Sequence, residues 1–123
     1  MVLWRKLRMD RKNKLLGHAE RNMALLQVFQ KKKVDIKLVR PVEFHFWAWG
    51  QPSSVRLAHE LYNRGFIILL LKPALLSDDP ERWNIEAGNK MSISSVIEER
   101  FTETLVDVAS MFDAEYDGWG TSV

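Results

Sequence analysis

Cysteine is absent from all 123 residues. That gap excludes disulfides, thiolate-held metals and a cysteine nucleophile together, and it suits a reducing compartment. Long apolar runs are missing as well. The longest unbroken one, Phe66 to Leu71, falls far short of the ~20 residues that span a bilayer. Met1 to Met9 carries charges but no apolar stretch long enough for a secretory signal. A soluble, cytoplasmic protein is the expectation. The low hydrophobicity that marks disorder is also lacking, since 46% of the residues are hydrophobic and 28% charged. A chain of this length predicts a single domain, residues 1–123, made of a basic N-terminal arm and helix over 1–40 and a core over 41–123.

The signatures of catalysis are missing too. His18, His45 and His59 fall in a predicted helix, a strand and another helix, with no spacing of the His-Glu-x-x-His kind. Glu98 and Glu99 open a helix and suit its positive end, and Asp78-Asp79 lie in a proline-flanked loop, so neither acidic pair needs an acid–base role. Gly118-Trp119-Gly120 has no following helix to aim amides at a phosphate. No catalytic residue, metal site or cofactor is predicted.

What is present is an uneven distribution of charge. Residues 1–40 hold 12 Lys plus Arg against 3 Asp plus Glu, a balance of +9, whereas residues 41–123 hold 6 against 13, a balance of −7. A basic arm on an acidic body can recruit a polyanion or fold back on its own domain.

The pattern of elements is legible. Residues 12–30 place Leu15, Leu16, Ala19, Met23 and Leu26 at helical spacing, predicting an amphipathic helix with that stripe buried. Val42, Phe44, Phe46 and Ala48 alternate with Glu43, His45, Trp47 and Trp49, predicting a first strand. Pro52 starts a helix with Val55, Ala58, Leu61 and Tyr62 as its buried stripe, and Gly65 closes it in a left-handed cap. Phe66 to Leu71 reads as a central strand covered on both faces. A third strand is expected from Trp83 to Ala87, with a turn or bulge at Gly88-Asn89. Ser95 and Glu98 form an expected capping box for a helix that buries Ile97, Phe101, Leu105, Val108 and Phe112. Glu115 to Val123 supplies the last strand, with Tyr116 and Trp119 on opposite faces and Gly118 and Gly120 marking a bend or a close backbone approach.

In order, these elements are a helix followed by β-α-β-β-α-β. That is the α+β pattern of a ferredoxin-like split βαβ sandwich, with a four-stranded antiparallel sheet preceded by an N-terminal amphipathic helix.

The final helix, its Phe112-Asp113 end and the run Glu115-Tyr116-Asp117-Gly118-Trp119-Gly120-Thr121 resemble the C-terminal part of the RraB family of bacterial ribonuclease E regulators. The match is strongest over about the last 28 residues, runs mainly in element order over 41–95, and covers only an N-terminal helix before that. The resemblance implies the same fold, no cofactor, and a protein that binds ribonuclease E or a related RNA-decay enzyme and restrains it by docking. The better-known members of that family are strongly acidic, with an acidic first helix and a long acidic tail after Gly-Trp-Gly-Thr. Here the first helix is basic and Val123 is the last residue, so the expectation is a partner engaged without that acidic device.

Two candidate sites follow. The acidic body around Asp113, Glu115 and Asp117, with Trp119, is the candidate protein-binding site. The alternative is an RNA or polyanion surface built from Arg5, Lys6, Arg8, Arg11, Lys12 and Lys14, with Trp47 and Trp49 as stacking rings and Trp4 as an apolar anchor. In a split βαβ fold, His45, Trp47 and Trp49 point to the sheet face that the two helices leave open, and Trp119 is a candidate to join them. Cover by the N-terminal helix or by a second copy of the chain, as a homodimer through that face, is the first reading for these rings. A partner protein comes next, and base stacking last. Nucleic acid is therefore the lesser candidate partner, a lipid surface a third, and no membrane span is expected.

Overall fold

The alternation of aromatic and polar residues after Arg40 forms the centre of the molecule. In the computed structural model, which describes residues 10–75, 78 and 81–123, this stretch is the strand β1 (Val39–Trp49). Val42, Phe44, Phe46 and Ala48 are buried on one face, and Glu43, His45 and Trp47 lie on the other. Before β1 comes the helix α1 (Arg11–Lys31), whose N-cap Asp10 accepts a hydrogen bond from the Asn13 amide at 2.9 Å. After it come α2 (Gln51–Asn63), β2 (Ile67–Pro73), β3 (Arg82–Ser92), the single turn α3 (Ile93–Val96), α4 (Glu99–Ser110) and β4 (Ala114–Gly120).

The four strands form one sheet in the order β2-β3-β1-β4, with every neighbouring pair antiparallel. This is the ferredoxin-like arrangement expected from the element order. Phe44 sits at its heart, edge-on to Phe66 of the α2–β2 turn at 5.4 Å and to Phe101 of α4 at 5.6 Å. Leu57, Leu61, Ile85, Ile93, Val96 and Leu105 complete a core between the sheet and the helices.

Several local expectations hold at the level of single hydrogen bonds. Pro52 lies in the first turn of α2. At the other end Gly65 has φ 97°, its amide reaches the Tyr62 carbonyl, and the Phe66 amide reaches the Leu61 carbonyl. That pair of bonds is the left-handed helix stop that glycine permits and other residues resist.

Other expectations fail, each for a non-local reason. The run 66–71 is not a central strand. β2 pairs only with β3, so it is an edge, and Ile67 and Leu69 are 67% and 51% exposed. β3 does not stop at Ala87 either. Its register with β1 is unbroken from Arg82 to Ser92, and the irregularity falls instead on β2, between Ile68 and Leu70. Gly88 accommodates it, since a Cβ there would stand 3.1 Å from Leu69 Cδ1.

The Ser95–Glu98 capping box does not form. Ser95 is inside α3, where its amide is bound by Ser92 Oγ at 3.2 Å, and Glu98 is the N-cap of α4 without a side-chain cap bond. α1 is helical as expected, but it is turned. Its buried stripe is His18, Asn22 and Phe29, with Leu15 and Leu25 alongside, while Leu16 and Met23 are 57% and 58% exposed.

β4 carries a bulge that the alternation of its residues does not predict. Tyr116 pairs with Phe46 and Trp119 with Phe44, with a register shift at His45/Phe46 that leaves Asp117 as the extra residue. A bulge of one residue puts two side chains three positions apart on the same face instead of on opposite ones. Gly118 absorbs it at φ 139°, so the predicted bend is present. Tyr116 and Trp119 both face the helices.

Candidate functional site

Three regions of the described residues bear on the candidate sites: the seam between α1 and β4, the open face of the sheet, and a groove between α1 and α4.

The seam is where the sequence-predicted acidic site lies. His18 stacks on Tyr116 at 4.6 Å and 18°, and its Nε2 is 3.1 Å from the Tyr116 carbonyl. Its Nδ1 is 2.9 Å from an Arg21 guanidinium nitrogen. A carbonyl only accepts and a guanidinium only donates, so His18 is held neutral with its proton on Nε2. Burial first, and Arg21 second, hold its pKa below the ordinary histidine value. Burial likewise pushes the Tyr116 phenol well above its ordinary range.

One turn on, Asn22 is buried and bonded on both ends of its amide. Its Nδ2 donates to Thr102 Oγ1 at 3.3 Å, and its Oδ1 accepts from Trp119 Nε1 at 2.8 Å. Phe29 packs on Trp119 with ring centroids 6.0 Å apart. Lys14 Nζ closes the seam on Glu115 Oε2 at 2.9 Å, with both side chains largely shielded.

The predicted protein-binding residues therefore separate. Trp119 and Glu115 are each 9% exposed and hold α1 in place. Asp113 forms the α4–β4 turn at φ 55°, with its carbonyl accepting from the Trp49 amide. Asp117 is exposed at the bulge, beside a small cavity of about 170 Å³ that His18, Arg21 and His45 also line.

On the open face the sheet brings His45, Trp47 and Trp49 together as expected. Trp47 and Trp49 meet edge to face at 4.4 Å and 79°, and the Arg82 guanidinium lies 4.6 Å from the Trp47 ring centre. Trp49 is only 3% exposed, so no base can stack on it. His45 sits between Glu86, 3.6 Å from Nδ1, and Glu43, 3.9 Å from Nε2. Trp119 is not on this face, and α1 does not cover it. α1 packs beside α4 and against β4 on the other side.

Of the basic arm the structure describes Arg11, Lys12 and Lys14, and it pairs Arg11 and Lys14 with carboxylates. Trp4, Arg5, Lys6 and Arg8 lie outside the described residues. Arg11 grips Asp107 through two bonds of 2.8 and 3.2 Å and approaches Glu103 at 3.6 Å, holding the Asp107 carboxyl below its usual pKa. Lys14 is paired with Glu115 as above, and Lys12 is exposed and, with Arg11, lines the groove.

That groove is the surface the sequence reading missed. It encloses about 790 Å³ between Leu16, Ala19, Met23 and Leu26 of α1 and the start of α4, with Leu15 and Ile97 among its walls. The apolar periodicity of α1 was the signal. Polar His18 and Asn22 carry the buried stripe, so the better apolar stripe was assigned to the core when it faces outward.

The His18 ring nitrogens are committed to the Tyr116 carbonyl and to Arg21, and among the described residues no three His, Asp or Glu side chains are placed to hold a metal. Fold and surfaces together define a small α+β protein with a four-stranded antiparallel sheet. The family described as Regulator of ribonuclease activity B, RraB, matches residues 19–121, and the chain belongs to it. Its members are regulators of ribonuclease activity and not catalysts. No curated protein matches the chain.

Proposed function

We propose that this protein binds ribonuclease E or a related RNA-decay enzyme in the cytoplasm and restrains its cleavage by docking on it. The family match over residues 19–121 carries the reading. The α1–α4 groove supports a docking mode. Leu16 and Met23 are seven residues apart on an exposed helix face, the spacing at which an amphipathic helical segment of a partner finds its anchors. Asp117, exposed at the bulge, is an acidic position at which this reading would seat a cationic stretch of the same partner, with Asp113 nearby in the α4–β4 turn. Glu115 and Trp119 serve the reading indirectly, by fixing α1 and hence one wall of the groove.

The test is capture of purified ribonuclease E on the immobilised chain, with the rate of RNA cleavage read in parallel. Capture and slower cleavage are expected. Met23→Glu should weaken capture by roughly tenfold or more, as loss of an apolar anchor does, without lowering the melting temperature. If the enzyme is not captured, and the chain instead binds single-stranded RNA in a way that falls steeply with salt and with Trp47→Ala, the RNA-binding reading replaces this one.

A further inference from the structure

The α1–α4 groove leaves apolar side chains open, with Leu16 and Met23 exposed on its α1 wall. Apolar surface gathered in one channel usually has an occupant. The groove begins at Arg11 and Lys12, in the first turn of α1, directly after the N-cap Asp10. Residues 1–9 therefore join the molecule at its mouth. They combine apolar Leu3, Trp4 and Leu7 with the cations Arg5, Lys6 and Arg8, and they hold no carboxylate.

We propose that residues 1–9 of this chain fold back from Asp10 into the α1–α4 groove, with Leu7 against Leu16 and Trp4 against Met23. Reach permits both contacts. An extended chain advances about 3.3 Å per residue and a helix about 1.5 Å, so each residue before Asp10 spans the height of roughly two after it. Leu7, three before Asp10, comes level with Leu16, six after it. Trp4, six before, comes level with Met23, thirteen after.

Charge favours the same occupant. The far wall is the start of α4, where Glu99 lines the groove and Glu98 and Glu103 flank it, against the single cation Arg100. On the near wall Arg11 is bonded to Asp107, and Lys12 stands level with uncharged Met9. A segment tethered this close meets its groove at a roughly millimolar effective concentration, which a free occupant has to exceed. A partner helix that uses the groove would bind by displacing residues 1–9. The contact stands without the docking reading and its test contains no ribonuclease, so the two fail separately.

The lack of native cysteine makes the test direct. In the full chain under mild oxidation, Trp4→Cys with Met23→Cys should close an intrachain disulfide about tenfold faster than Trp4→Cys with Ala24→Cys. Ala24 is exposed at nearly the same height on α1 but does not line the groove. Equal rates, a faster Ala24→Cys pair, or a disulfide between two chains overturns the proposal, the last by seating the segment in a second copy. The second readout is Nile red, an uncharged dye that brightens on apolar surface. Trp4→Glu with Leu7→Glu should raise its fluorescence several-fold by opening the groove, and Met23→Glu added to that pair should reverse the rise, which separates an opened groove from misfolding. Dye binding that the double substitution leaves unchanged overturns the proposal, as does a rise that Met23→Glu leaves in place.

Discussion

The two edges of the sheet are finished in opposite ways. β4 is closed by α1 through a buried, largely polar seam in which His18 takes a main-chain carbonyl, Asn22 bridges Trp119 to Thr102, and Lys14 meets Glu115. β2 is left open with aliphatic side chains in solvent. An apolar edge can attract any strand, whereas a polar seam discriminates, since each buried group must find its own partner. The difference teaches that burial in this protein follows geometry more than hydrophobicity. A histidine and an asparagine are inside while Ile67, Leu69, Leu16 and Met23 are outside.

The comparison breaks most sharply at Trp119. Trp119→Ala removes a buried ring and leaves Asn22 Oδ1 without its donor, so a loss of about 3–5 kcal/mol is expected from urea unfolding. A loss no larger than that of an exposed site would mean α1 is not held by this seam.

A middle-sized effect is expected from acid. Burial and Arg21 hold the His18 pKa below the ordinary 6.5, with Lys14 opposing protonation as well and Asp117 and the Tyr116 carbonyl favouring it. The unfolded chain therefore takes up the proton more readily. The stability His18 contributes is complete above 6.5 and is lost as pH falls through that value toward the lower folded one. Urea midpoints at about pH 7.5 and about pH 5.5 should show a drop that shrinks in His18→Gln, whose amide can donate to Tyr116 and accept from Arg21. An equal drop in both proteins would remove His18 from the account.

The smallest effect belongs to the other edge. Ile67→Thr, at an exposed strand position, should change monomer stability by less than about 0.5 kcal/mol. A large loss would show that β2 is covered in the monomer, contrary to its exposure.

Much of this fold was legible before the structure. The alternation from Val42 to Trp49 assigned the two faces of β1 correctly, because side-chain direction along a strand is a local property. Gly65 and Pro52 bounded α2 through backbone chemistry that needs no distant partner. Among the candidate site residues, the shared face of His45, Trp47 and Trp49 was foreseen, while the contact between the two tryptophan rings, the groove and the seam were not. His18 read as a surface or packing residue, and nothing local distinguishes such a histidine from one that binds an edge-strand carbonyl 98 residues away.

The sequence by itself thus determined the order of elements, the inward face of the central strand and, through Glu115 to Thr121, the family. Tertiary structure alone decided that an apolar run forms an edge rather than a centre, which stripe of α1 is buried, and that a one-residue bulge brings Tyr116 and Trp119 to the same face. The reason is range. Periodicity, caps and turns are set by residues a few positions apart, whereas strand order, helix rotation and register depend on partners most of the chain length away.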